Sequence, residues 1–395
     1  MLNNKPGLAN SNFLPPPQLQ SSGHVTAIKI VAAITAVLMA LLLSLIVLLL
    51  IGFETGPVGL LTGLLSATIP VPLYVMLVLW VDRYESEPLW MLATAFFWGA
   101  LIAVFFALIL NTASGLIVAG LTQDASAGEA FSAGISAPIV EETAKAAILL
   151  VFFFLKKDEF DGVVDGIIYA SMAGLGFAMT ENVQYYGRAV LQGGGGGLTL
   201  VFIIRGMLAP FSHPLFTAMT GMGLGLARQS RNTLIKIISP VLGLGLAIFL
   251  HALWNGSAIV FGFLGFVLIY VLFMVPMFFV ILAVIFVSLR REGRVVRDFL
   301  LPDFQRGLLT PEEYSRLCSV RGRMGASFQA LSRGGVSHWR DSMRFNQAAS
   351  ELAFHRSRIA RGIGAHHTDV KAREEAYLRL MEDLISRLRA RQIAS

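Results

Sequence analysis

The most constraining feature is a set of apolar blocks too long for a water-soluble domain. Residues 30–52 read "IVAAITAVLMALLLSLIVLLLIG", without one charged side chain. A run of about 20 apolar residues matches the hydrocarbon thickness of a bilayer. Such blocks recur along the chain. Only 14% of residues are charged and the mean hydropathy is +0.68, against about 25% charged in soluble domains. The predicted fold class is all-α: a polytopic transmembrane helix bundle with a short helical tail.

Windows of about 20 residues give about eight spans. They fall near 26–52, 57–81, 90–111, 130–155, 163–186, 198–226, 237–260 and 262–289. Pro57 separates the first two, and the glycine run at 193–197 separates the fifth from the sixth. The first block, from Val25 to Gly52, is longer than a signal-peptide core of about 7–15 residues, so it reads as a span. The chain divides into a disordered N-terminus at 1–24, a membrane domain at 25–289 and a basic tail at 290–395.

Charge sets the orientation. With the N-terminus inside, the inner loops hold Arg83, Lys156, Lys157, Arg228, Arg231 and Lys236, while the outer loops hold only Arg188. That is the positive-inside pattern, which predicts a multi-pass protein of the cell membrane with both termini cytoplasmic. From residue 290 onward there are 20 Lys/Arg against 12 Asp/Glu. The basic excess reads as a tail facing anionic lipid. No basic run or nucleic-acid motif is present, so nucleic acid is not an expected partner. In the tail, Thr310-Pro311-Glu312-Glu313 is a capping box with proline at the first helical position, which predicts a helix start. Residues 369–391 form a second helical candidate. The lone Cys318 excludes an intrachain disulfide and a cysteine-rich metal site.

Against this background the stretch "APIVEETAKAAILL" at 137–150 stands out. An ionisable side chain at the centre of a membrane helix costs about 2.5–3.5 kcal/mol on insertion scales. The spans carry several: Glu141, Glu142 and Lys145 in the fourth, Glu181 with Asn182 in the fifth, Arg205 and His213 in the sixth, His251 with Asn255 in the seventh. Lys145 stands one helical turn from both glutamates, and His251 one turn from Asn255. Four consecutive helices thus offer acids, imidazoles and amides at membrane depth.

That set can hydrolyse an amide. A glutamate takes a proton from water as general base. A histidine holds that water, or a metal that lowers its pKa. A histidine and an asparagine can donate to the developing oxyanion. The serine-hydrolase G-x-S-x-G and the zincin H-E-x-x-H are both absent, so a zinc site would draw its ligands from separate helices. Intramembrane acid and imidazole relays also occur in proton-coupled transporters and channels, the alternative reading, although the halves of the chain show no internal repeat. A third reading is a scaffold acting through its tail.

The stretches "EETAK" (141–145), "GFAMTEN" (176–182), "SHPLFTAMTGMGLG" (212–225) and "HALWN" (251–255), preceded by "DRYESEP" (82–88), resemble the PrsW family of intramembrane proteases. That family is grouped with the CAAX-protease-like CPBP/Abi superfamily. The resemblance covers about residues 70–260. It implies a membrane-embedded endopeptidase that cleaves a membrane protein; the family's best-known member cleaves an anti-sigma factor, so a single-pass anti-sigma factor is the candidate substrate. By motif position, Glu141 and Glu142 form the catalytic pair, with Glu141 favoured as the base and Glu142 paired to Lys145. His213 holds the water or a metal, His251 and Asn255 form the second half of the site, and Glu181 and Asn182 support it. The resemblance implies either a zinc ion on His213 and His251 or a metal-free glutamate mechanism. The tail beyond 290 lies outside the family core.

Overall fold

The computed structural model describes residues 23–393, apart from 83, 85, 158 and 362–369. The expected disorder at 1–24 falls on residues outside this set, except for Gly23 and His24, which open the first helix. Among the described residues every regular element is helical. The membrane part comprises α1 (Gly23–Thr68), α2 (Val71–Val81), α3 (Leu89–Phe97), α4 (Val104–Thr122), α5 (Ala125–Phe131), α6 (Ala137–Leu155), α7 (Val163–Val201), α8 (Ser212–Gln229), α9 (Thr233–Ile269) and α10 (Val275–Gln305). α11 (Pro311–Leu317), α12 (Val320–Ala360) and α13 (Val370–Ile393) complete the chain. Single π-helical turns join α3 to α4, α5 to α6, α7 toward α8 and α9 to α10.

Four stretches are long and apolar enough to cross a membrane: Ile34–Val81, Leu89–Thr122, Val163–Gln229 and Thr233–Gln305. Backbone breaks at Gly56, Gly194 and Gly262 divide three of them. α6, with its three ionisable groups, is not among the four. Large apolar side chains are exposed all along α1, α9 and α10. In water such a surface would be unusual; in lipid it is the expected exterior.

α7 is the central helix. From Val163 to Ala178 every residue is buried. Small residues let its neighbours approach closely, the usual packing device between membrane helices. A Cβ on Gly166 would stand 2.1 Å from the Gly221 carbonyl oxygen of α8. One on Gly174 would stand 2.7 Å from Pro214 N and 2.9 Å from the His213 carbonyl carbon. Gly174 therefore sets the position of the first turn of α8. Gly174→Val is expected to destabilise the chain by about 1–3 kcal/mol, the usual range for overpacking, read as a lower melting temperature of the detergent-solubilised protein.

The sequence reads 198–226 as one continuous span, which places His213 deep within a helix. Instead the chain leaves helical geometry at Ala209–Phe211, and His213 lies in the first turn of α8. Pro210 and Pro214 account for this. Neither has an N–H to give a preceding carbonyl, and proline suits a helix only in its opening turn.

The tail is packed onto the membrane part. α10 runs unbroken through residue 290, where the sequence places a domain boundary. Its Leu289, Val296 and Leu300 share one apolar core with Phe345, Leu352, Met381 and Leu384 of α12 and α13, and with Phe216 of α8. α11 begins at the predicted place: Thr310 Oγ1 accepts from Glu313 N, and Glu313 accepts from Thr310 N.

Candidate active site

The ionisable residues of four helices meet at one place. α6 supplies Glu141, Glu142 and Lys145, all buried. Lys145 is fully enclosed. Its Nζ lies 2.8 Å from Glu142 Oε1, 3.7 Å from Glu141 Oε2, 3.0 Å from His213 Nδ1 and 3.9 Å from the centre of the Phe177 ring. The two glutamates of "EETAK" thus share one cation, yet their surroundings differ.

Glu142 is bonded at both oxygens. Oε1 receives Lys145 and His251 Nδ1 at 3.0 Å, and Oε2 accepts from Thr217 Oγ1 at 2.8 Å. Glu141 accepts a hydrogen bond at one oxygen only: Asn111 Nδ2 of α4 lies 3.4 Å from Oε1, and Ser136 Oγ donates to Asn111 Oδ1 at 2.8 Å. Glu141 Oε2 is buried and hydrogen-bonds nothing among the described residues. A carboxylate oxygen without a hydrogen bond in an enclosed site is costly, and a native fold retains one for a reason.

The network assigns the imidazole tautomers. Lys145 can only donate, so His213 accepts at Nδ1 and donates from Nε2 to Glu181 Oε2, 2.9 Å away. Glu181 also takes a guanidinium hydrogen bond from Arg205, whose Nε donates to Asn182 Oδ1 at 2.7 Å. His251 donates Nδ1–H to Glu142, which leaves the Nε2 lone pair facing Glu141 Oε2 across 3.9 Å. That gap is too long for a direct hydrogen bond and is the kind of spacing a water bridges. The two imidazoles stand edge to face at 5.2 Å, and Phe216 stacks on His251 at 5.0 Å.

Eight of the nine residues singled out from the sequence thus form one connected network. Asn255 is placed differently: its amide donates to the Ala133 carbonyl at 2.8 Å, beside the junction of α5 and α6. The sequence reading missed Asn111, Ser136 and Thr217. Thr217 lies one turn from His213, a spacing that could have revealed it. Asn111 is uncharged and sits in "LILNTAS", where only the structure shows its partner. Asn111→Ala is expected to remove the hydrogen bond that Glu141 accepts and to destabilise the chain by about 1 kcal/mol, read as a lower melting temperature. Ser136→Ala should do less, because it removes only the outer hydrogen bond.

One ligand atom from each of Glu141, His213 and His251 can be chosen so that all lie within 4.8 Å of one another. Two imidazoles and a carboxylate are a common catalytic zinc set. The free Glu141 oxygen and the His251 Nε2 lone pair fit it, and the Glu142 bond to His251 Nδ1 is the usual outer support of a metal-ligating histidine. His213 must give up one bond to join, since both its nitrogens are engaged.

Fold and site together define an all-helical, polytopic membrane protein with a buried acid–imidazole centre. Residues 87–281 match the profile of the PrsW family intramembrane metalloprotease. Protease PrsW of Oceanobacillus iheyensis is 30% identical over 219 residues, covering 55% of this chain and 93% of that protein. Protease PrsW of Geobacillus kaustophilus is 34% identical over 149 residues, 37% of this chain and 58% of its own length. Protease PrsW of Bacillus subtilis is 29% identical over 152 residues, 38% of this chain and 61% of its own. The chain thus spans less than two thirds of the last two relatives. It belongs to the PrsW family. No solved structure matches it.

Proposed function

We propose that the chain is an intramembrane endopeptidase whose centre is the Glu141–His213–His251 cluster. The observation that carries this reading is the asymmetry of the two glutamates. Both oxygens of Glu142 accept hydrogen bonds, three in all, while one buried oxygen of Glu141 accepts none among the described residues and meets only Lys145, at 3.7 Å. Glu141 is accordingly the general base and Glu142 the anchor for Lys145, Thr217 and His251.

In this mechanism a water between Glu141 Oε2 and His251 Nε2 loses a proton to Glu141 as its oxygen attacks the scissile carbonyl. Glu141 then returns the proton to the departing amine. His213, fixed by the Arg205–Glu181 pair, orients the substrate beside the two glutamates. The charge of Lys145 lies close enough to favour the anionic intermediate. Asn255 would supply a donor on the oxyanion side after turning from Ala133, while His251, with its N–H on Glu142 and a lone pair at Nε2, accepts from the attacking water instead. A zinc-type ion, if bound, would be held by His213 and His251 with Glu141 within reach, and would bring the pKa of bound water toward about 7.

The proposed substrate is a single-pass membrane protein, with an anti-sigma factor the class that the resemblance implies. The distribution of Lys and Arg supports a cell-membrane location with both termini, and the tail from 290 onward, on the cytoplasmic side. Comparative membrane proteomics of cells carrying the active chain or Glu141→Gln tests the reading. A truncated membrane protein present only with the active chain is expected. Identical fragment sets in both cells would reject it.

A further inference from the structure

The tail carries an exposed apolar and basic surface that the proposed site does not use. α12 is a hairpin. Gly335, at φ 67° in the left-handed region that favours glycine, breaks the helix. The two arms then meet: Ser327 Oγ lies 3.3 Å from Met343 Sδ, and Arg323 Nη1 3.4 Å from the Asn346 carbonyl. The inner faces bury Arg323, Ser327, Ala330, Ser342, Phe345 and Asn346.

The outer faces are built differently. The first arm exposes Met324, Phe328 and Leu331, and the second Val336, Trp339 and Met343. Both triplets follow helical spacing and so form stripes. Phe328 is 73% exposed and Val336 61%, values that make a patch rather than scattered surface residues. Residues 320–346 contain five arginines and one acid, Asp341. Asp341 is buried, while Arg321, Arg333 and Arg340 are exposed.

The position of the hairpin names the occupant. The Arg323 guanidinium lies 4.3 Å over the Tyr84 ring and donates to the Leu317 carbonyl at 2.8 Å. Tyr84 follows the end of the membrane stretch Ile34–Val81 by three residues. The base of the hairpin therefore stands three residues from the end of an apolar stretch long enough to cross a bilayer. Apolar stripes with aromatic members, edged by arginines without exposed acids, are the composition of a helix that lies in the membrane interface.

We propose that the outer face of the α12 hairpin is an anionic-lipid anchor. Phe328, Val336 and Trp339 enter the acyl boundary, and Arg321, Arg333 and Arg340 engage the headgroups. This inference is independent of the proposed hydrolysis. It uses only residues outside the catalytic cluster, and it would stand if that cluster did something else.

The test uses the full chain, one copy per nanodisc, with Cys318→Ser and a nitroxide label at Phe328→Cys or, separately, at Val336→Cys. Collision with oxygen and with a water-soluble nickel complex reports depth. In nanodiscs containing 30% phosphatidylglycerol, both labels should be open to oxygen and shielded from nickel. Each basic residue near an anionic surface contributes about fivefold, so replacing Arg321, Arg333 and Arg340 with Gln should shift the ratio of inserted to free hairpin about 100-fold. Labels open to nickel in anionic nanodiscs would overturn the proposal. So would shielding from both reagents, or shielding that needs two chains per disc, since these mark a protein contact. Equal immersion in pure phosphatidylcholine would overturn the headgroup part.

Discussion

Glu141→Gln is expected to lower kcat for cleavage of a membrane substrate by about 10²–10⁴, the range for loss of a general base, while leaving KM and the melting temperature nearly unchanged. Gln is isosteric with Glu, and the oxygen that Asn111 holds can be kept. The oxygen lost to basicity, Oε2, has no hydrogen-bond partner among the described residues, so the change breaks only its 3.7 Å ion pair with Lys145, which Glu142 continues to hold at 2.8 Å. Glu142→Gln should behave in the opposite sense. Its carboxylate binds Lys145, Thr217 and His251 at once, so the variant should lose folded protein along with activity. Finding the two phenotypes exchanged would reverse the assignment of base and anchor.

The second large effect is expected at Lys145. Its ammonium is fully buried and is the only cation within 4 Å of Glu142 apart from the imidazole of His251 among the described ion pairs. Removing one partner of a buried pair typically costs about 3–5 kcal/mol, because the other charge is left without compensation. Whole-domain stabilities are about 5–15 kcal/mol, so Lys145→Met should sharply reduce the yield of monodisperse protein. Lys145→Met combined with Glu142→Gln removes both charges and should recover part of that loss. Such non-additivity is the mark of a direct pair. A Lys145→Met protein that melts like the parent would show that the pair adds little to the fold.

The helical membrane class was legible in the sequence, because apolar blocks of span length leave few other folds open. The core of the site was legible for a related reason. Glu141, Glu142, Lys145, Glu181, His213 and His251 are ionisable groups in apolar surroundings, and in a membrane such groups find one another or water. Three things were not legible. Asn111 and Thr217 are uncharged and so give no signal until a partner is seen. The break at Ala209–Phe211 depends on two prolines whose effect on a span, a kink or a full stop, is decided by packing against α7. The joining of α10, α12 and α13 into one core with α8 was hidden because an amphipathic pattern shows that a face is covered without naming what covers it.

The central claim, that the Glu141 carboxylate directs water onto a peptide bond, is tested most directly by isotope transfer. The purified chain is reconstituted in liposomes with a single-pass substrate in water enriched in ¹⁸O, and the new C-terminus is weighed by mass spectrometry. One ¹⁸O per cleaved carboxylate with the parent chain, and no labelled fragment with Glu141→Gln, is the predicted result. Fragments that carry the label at the same rate with Glu141→Gln would contradict the account.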